Sequence, residues 1–163
     1  FRLCVLYIDG GVYSDVDMRC LVPVFSWIDP VDTFVIPKDG DNEVIDLFQA
    51  FIASTPQNPI LLKSINKIIY NVKNKIHCDN IIKLSGPNMI GRVLNKYLKR
   101  KEETVFHEQI FKRRKQVIKI ITHNIRNPKE FITYKGKHLI KSQTWFRRKV
   151  ANMPSWSKIK IYC

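Results

Sequence analysis

No stretch of this sequence stays apolar and uncharged for the roughly 18 residues that a membrane-crossing helix needs, which excludes a transmembrane span within it. Cysteine is sparse: Cys4, Cys20, Cys78 and Cys163 are scattered. No two of them form a C-x-x-C pair and none has a histidine at zinc-finger spacing, so a disulfide scaffold and a structural zinc site are both excluded. One dispersed bridge is the most they allow, and reduced, packed thiols are expected. Acidic residues are nearly missing past residue 60, where 5 carboxylates face 25 Lys and Arg. What remains is ordinary globular material. The chain has 163 residues, 45% hydrophobic and 26% charged, enough for about one domain with a core. It begins at Phe1 rather than Met, and is expected to be part of a longer chain.

The net charge of +14 conceals a split: residues 1–60 carry 3 basic and 9 acidic residues, and the rest of the chain is strongly basic. An acidic segment facing a basic one suits a metal ion together with a phosphorylated ligand. A nucleic-acid-binding module would instead be basic throughout, so that reading rests only on the second half, with Arg113-Arg114 and Arg147-Arg148. Abundant Ile, Lys and Asn is also what an AT-rich genome produces without any selection for binding.

Periodicity predicts mixed elements. Leu3, Leu6 and Tyr7 share a helix face over residues 1–9, and Gly10-Gly11 ends that helix. Val12 and Tyr13 are strand-prone and residues 14–17 (SDVD) form a polar turn. Residues 33–36 and 47–53 read as buried strands around a surface turn at 38–43 (KDGDNE). From Pro59 the period is helical: Ile60, Leu61, Ile65, Ile68, Ile69 and Val72 face inward, with Lys63, Asn66, Lys67, Asn71 and Lys73 opposite. A second helix is predicted from Pro87 to about Leu98. Residues 116–122 and 131–134 are strand-like, and Lys135-Gly136-Lys137 turns into a strand at 138–140. Helices interleaved with apolar strands predict an α/β layer fold.

The chemistry sits in RLCVLYIDGGVYSDVDMRCLVP, residues 2–23. A short strand ends in Asp15-Val16-Asp17, and in a strand or extended turn positions two apart point the same way, so both carboxylates can converge while Val16 points back to the core. Like charges that close repel unless a cation joins them. Oxygen ligands suit Mg²⁺ or Mn²⁺, with a shell completed by diphosphate and water.

The composite R-x3-L-Y-x2-G-G-x-Y-x-D-x-D-x3-L-x-P resembles the DXD-containing sugar-binding region of a glycosyltransferase family. That family includes yeast-type initiating α-1,6-mannosyltransferases. The composite is also similar to capsular polysaccharide and inositol phosphorylceramide sugar transferases, and more distantly to the glucosyltransferase domains of clostridial toxins. Arg2, Leu6, Tyr7, Gly10, Gly11, Tyr13, Asp15, Asp17, Leu21 and Pro23 carry the match. Weaker likeness continues through QAFIASTPQNP (49–59), Ser85-Gly86-Pro87 and HLIKSQTW (138–145).

The resemblance implies a Rossmann-like GT-A fold, with residues 1–163 a single catalytic domain lacking the N-terminal strands that hold the nucleotide base. It implies a retaining transferase using Mn²⁺ or Mg²⁺ to move a sugar from a UDP- or GDP-sugar to a hydroxyl on a glycan, lipid or protein. Asp17 is then the direct metal ligand, and Asp15 contacts ribose or sugar and the metal through water. Arg2, Gly10, Gly11, Tyr13, Ser85, Gly86 and Trp145 line the donor site, with Ser142 or Thr144 near the metal and His138 holding the C-terminal loop. No nucleic-acid partner is expected, and membrane association only through regions outside this sequence. The alternative is a catalytically inactive relative that binds without turnover.

Overall fold

The computed structural model describes residues 1–40, 45–76, 81–126 and 129–143. The chain opens with helix α1 (Arg2–Asp9), followed by strands β1 (Gly11–Ser14) and β2 (Met18–Cys20) and a 3₁₀ turn at Val24–Ser26. Strands β3 (Phe34–Asp39) and β4 (Phe51–Ser54) follow, then helices α2 (Pro59–Lys73), α3 (Ile81–Leu84) and α4 (Pro87–Tyr97). Strands β5 (Gln109–Arg113), β6 (Gln116–Arg126), β7 (Lys129–Tyr134) and β8 (Lys137–Ser142) complete the described chain. The architecture is mixed α/β, as the pattern predicts.

All eight strands belong to one sheet in the order β1-β4-β3-β6-β7-β8-β2, with β5 also paired to β6. β3 and β6 are parallel, from Phe34 opposite Ile118 to Asp39 opposite His123, and the other pairs are antiparallel. β1 and β2 are consecutive in sequence yet stand at opposite ends of this order. The sheet must therefore curl until its two ends are close enough for residues 15–17 to link them, which gives it a barrel-like form.

One core, between the sheet and the helices, contains Leu3, Leu6, Phe34, Ile52, Ile60, Leu94 and Phe106. The second, on the other face, is built from Val35, Phe51, Ile121, Ile132 and Leu139, with Trp27 packed against it. Strands buried on both faces read as continuous apolar runs, which is why β3 and β4 stand out in the sequence.

Several expectations change. The second predicted strand begins only at Phe51, because residues 47–50 form a bridge and turn. Lys38 belongs to β3 rather than a surface turn: it is 8% exposed, and its Nζ donates to Gly40 O at 2.8 Å. On α2, Ile69 and Val72 face out at 44% and 64% exposure, while Asn71 is buried. Asn71 turns inward because its Nδ2 donates to Leu84 O at 2.8 Å, joining α2 to the α3–α4 connection. Cys4 and Cys20 are free and exposed, not packed. β5 was not predicted at all.

Candidate active site

Leu3 and Leu6, one turn apart, bury the inner face of α1 and place Arg2 at its start. Gly10 ends the helix at φ 68°, with its N–H donating to Leu6 O. A Cβ at Gly10 would lie 2.7 Å from Pro56 Cδ and N, so only glycine fits that approach. Gln57 N also donates to Tyr7 O at 2.7 Å, and the end of α1 is thereby pinned to the loop before α2. Gly11, at φ 93°, has open space around it and serves the turn alone.

β1 pairs with β4, Ser14 opposite Phe51, and the ladder continues one step as Asp15 N donates to Ala50 O at 2.9 Å. The chain then reverses: Met18 N donates to Asp15 O at 3.1 Å, a β-turn with Val16 and Asp17 at its centre. Gln143 N donates to Asp17 O at 2.9 Å, and β2 pairs with β8. Asp15 is thus fastened to one end of the sheet and Asp17 to the other. A turn stands where a polar one is predicted, but Val16, at 88% exposure, does not return to the core as expected.

Asp15 is held from two sides. Arg2 Nη1 donates to Asp15 Oδ1 at 3.1 Å and to Gln49 O at 2.8 Å. Tyr13 Oη donates to the same Oδ1 at 2.6 Å, and the guanidinium lies 4.6 Å from the centre of the Tyr13 ring. Desolvation by burial, and then the hydrogen bond to Asp15, push the Tyr13 phenol above its ordinary pKa. Arg2, Tyr13 and Asp15 therefore form one unit, with Arg2 and Asp15 each about a third exposed.

Gln49 joins a further predicted segment to this unit. Its Nε2 donates to Ser85 O at 3.3 Å while its own carbonyl accepts from Arg2. Gly86, before the first turn of α4, packs against α3, where a Cβ would lie 2.6 Å from Ile82 Cα. Ser85 and Gly86 thus stand beside Gln49, one residue from the carbonyl of Ala50 that holds Asp15.

Of the predicted C-terminal positions, two are described. His138 is exposed on β8 and stacks on Phe131, with ring centres 4.1 Å apart. Ser142 is buried in β8, opposite both Met18 and Glu130. Thr144 and Trp145 lie outside the described residues.

A group that motif reasoning left unassigned occupies the same end of the sheet. His123 is 2% exposed; its Nδ1 lies 3.0 Å from Asp39 Oδ1, and its Nε2 lies 3.9 Å from Glu130 Oε2. Its ring stacks on Phe48 with centres 3.8 Å apart, next to Gln49. The strand sequence QVIKIITHNIR carries no local sign of this, because the partners come from β3 and β7.

Among the described residues no group of three or more His, Cys, Asp or Glu could hold a metal by itself. A Mg²⁺-type ion does not need one, since it is commonly held by one or two carboxylates plus substrate phosphates. The two-carboxylate turn fits that use. Arg2 and Tyr13 both engage Oδ1 of Asp15, which fixes that carboxylate, and Asp17 is the other carboxylate of the turn.

No protein-family model matches this chain. It is similar to inositol phosphoceramide mannosyltransferase 1 of Schizosaccharomyces pombe, with 29% identity over 105 residues. That stretch covers 64% of this chain and 32% of the mannosyltransferase, so the chain spans about a third of that relative's length. A solved structure titled PaToxG glycosyltransferase is similar at a TM-score of 0.48 and 28% identity, covering 60% of this chain and 33% of the other. At the coarse level of sequence likeness, this chain is glycosyltransferase-like.

Proposed function

We propose that this chain is the metal- and sugar-binding part of a retaining, GT-A-type glycosyltransferase, with a UDP- or GDP-sugar as donor and a hydroxyl group as acceptor. The observation that carries the reading is the turn at 15–17. It presents two carboxylates where the two ends of the sheet meet, one of them held by Arg2 and Tyr13. An ordinary surface D-x-D has no such support. The likeness to a mannosyltransferase agrees with it.

In this reading Asp17 would hold Mn²⁺ or Mg²⁺ directly, and Asp15 would orient donor hydroxyls and support the ion through water. The ion, when bound, supplies positive charge against the diphosphate that departs. Arg2 and Tyr13 hold Asp15 in place, so little reorganisation is needed when charge develops. Tyr13, Gly10 and Gly11 shape the donor side, and Ser85 and Gly86 sit across Gln49 from it. Ser142 is the described candidate for the place near the ion; the roles that the resemblance implies for Thr144 and Trp145 fall outside the described residues. The bond from the anomeric carbon to the diphosphate breaks, and the acceptor oxygen forms its bond on the same face. No side chain is assigned as a nucleophile. A lipid-linked hydroxyl is the acceptor class that the mannosyltransferase likeness favours.

The test is donor hydrolysis and transfer with UDP- and GDP-sugars, with and without Mn²⁺, using the full-length enzyme. The expected result is turnover that disappears with EDTA and returns with Mn²⁺. Turnover undiminished by EDTA overturns the metal role. Metal-dependent donor binding without any turnover supports an inactive relative instead.

A further inference from the structure

From Pro59 to Lys101 the sequence holds eight Lys and two Arg against one acid, Asp79. The two arginines are engaged locally: Arg92 pairs with Glu102 and Glu103, and Arg100 donates to Val105 O and lies over the Phe106 and Phe111 rings. Among the described residues none of the eight lysines has an ion-pair partner. Four of them, Lys63, Lys67, Lys83 and Lys96, line the groove between α2 and α4, over a floor that includes Met89 and Val93. Folding has thus gathered like charges that repel one another, and the carboxylate that lines the same groove, Glu102, is taken up by Arg92.

The outer face of α2 adds the second observation. Leu62, Ile69, Tyr70 and Val72 are 39%, 44%, 54% and 64% exposed on a single helix that also carries Lys63, Lys67 and Lys73. Exposed apolar side chains interleaved with lysines, on a helix that buries its other face, are what an anionic bilayer surface accommodates: apolar groups enter the headgroup layer and ammonium groups meet lipid phosphates. A nucleic acid fits less well. The cations lining the groove are chiefly lysines, which act as point charges without the bidentate fork of arginine, and among the exposed apolar groups of α2 named above only Tyr70 carries a ring, which Lys67 covers at 4.9 Å.

We propose that the α2–α4 face docks this chain on a membrane surface rich in acidic phospholipid. This revises the expectation that membrane contact needs regions outside this sequence. It stands on charge and exposure and does not rest on the transferase reading. The placement bears on access: Asn71 on α2 donates to Leu84 O, and the next residue, Ser85, accepts from Gln49. The C-terminal end of α2 therefore lies near the site end of the molecule.

The test is co-sedimentation with vesicles of phosphatidylcholine alone and of phosphatidylcholine with phosphatidylserine. It compares wild type, a groove triple variant (Lys63→Glu, Lys67→Glu, Lys96→Glu) and a triple of identical charge change on the β5–β8 hairpins (Lys112→Glu, Lys135→Glu, Lys137→Glu). Wild type is expected on the acidic vesicles only, with binding falling as salt rises. The groove triple should lose about tenfold or more, and the hairpin triple about twofold or less. Ile69→Ser with Val72→Ser, which keeps every charge, should also weaken binding. Should the groove triple fail to fold by circular dichroism, the three Lys→Gln changes replace it. Equal losses in the two charge triples, equal binding to neutral vesicles, or binding of a polyribonucleotide with no vesicle binding each overturn the proposal.

Discussion

Arg2 and Asp15 meet at 3.1 Å, joining the first turn of α1 to the carboxylate where β1 ends. The contact does more than pair charges, since the same Nη1 also reaches Gln49 O at 2.8 Å. One guanidinium therefore sets the distance between the Asp15 turn and the segment that leads into β4. Lysine keeps the charge but cannot present a planar group to Asp15, Gln49 and the Tyr13 ring together.

Arg2→Lys should lower donor turnover by about tenfold, equivalent to about 1.4 kcal/mol. Its melting temperature should hardly move, because ion pairs exposed to this degree contribute about 0–1 kcal/mol. Kinetics and thermal melting on one preparation check this. A large fall in melting temperature with unchanged turnover would make Arg2 a structural residue only.

The two carboxylates should separate. Asp17→Asn is expected to weaken Mn²⁺ binding by about tenfold or more, since Asp17 is the proposed direct ligand. Asp15→Asn should spare most of the Mn²⁺ affinity and reduce donor binding, because Arg2 and Tyr13 lose the anion they orient. Calorimetry with Mn²⁺ alone, then with donor, measures both. Wild-type Mn²⁺ affinity in both variants would rule out a metal at this turn.

Tyr13 gives a pH dependence of known sign. Its pKa is raised in the folded chain, first by burial and then by the hydrogen bond to Asp15. The neutral phenol is favoured by folding, so this contribution is complete below the unfolded value of about 10 and is lost as pH rises through the folded value. Ultraviolet titration of wild type minus Tyr13→Phe should show a phenol that ionises later than free tyrosine. The variant's melting temperature should fall less steeply above about pH 10. A difference spectrum that titrates at or below that of free tyrosine would contradict it.

The half of the site formed by neighbours in sequence was legible in advance: the α1 face, the Gly10-Gly11 stop and the D-x-D turn all lie within residues 2–17. What closes the site was not. Asp17 is held by Gln143 and Asp15 by Ala50, and nothing local announces either contact. The parallel β3–β6 pairing and the Asp39–His123–Glu130 row are likewise products of topology. β5 was missed because its apolar residues, Ile110 and Phe111, are adjacent rather than alternating, and its strand character comes from pairing with β6. Periodicity misjudged the C-terminal half of α2, where a hydrogen bond to Leu84 O draws Asn71 inward and leaves Val72 outside. Alternation failed at Val16 because a turn, not a strand, carries the two carboxylates.

Gly91 tests whether α4 supports the site through residues 45–50. A Cβ there would lie 1.8 Å from Ile45 O and 2.9 Å from Ile45 C, both backbone atoms that cannot rotate away. The same segment is tied to α4 by Leu47 N to Pro87 O at 3.2 Å and by Asn88 Nδ2 to Asp46 Oδ1 at 2.7 Å. It then supplies Gln49 O to Arg2 and Ala50 O to Asp15 N. Alanine is better than glycine inside a helix by about 1 kcal/mol, so propensity alone predicts that Gly91→Ala stabilises. The clash should outweigh this, with a net loss of about 2 kcal/mol, or roughly 4–8 °C in melting temperature for a chain of this size. Donor binding should weaken as well, because displacing Ile45 moves the segment that carries both carbonyls. Gly136→Ala is the comparison: it has open space but φ 75°, so it should cost about 1–2 kcal/mol of backbone strain and leave donor binding unchanged. If Gly91→Ala melts at or above wild type, residues 45–50 yield freely and Arg2 and Asp15 are not positioned through α4.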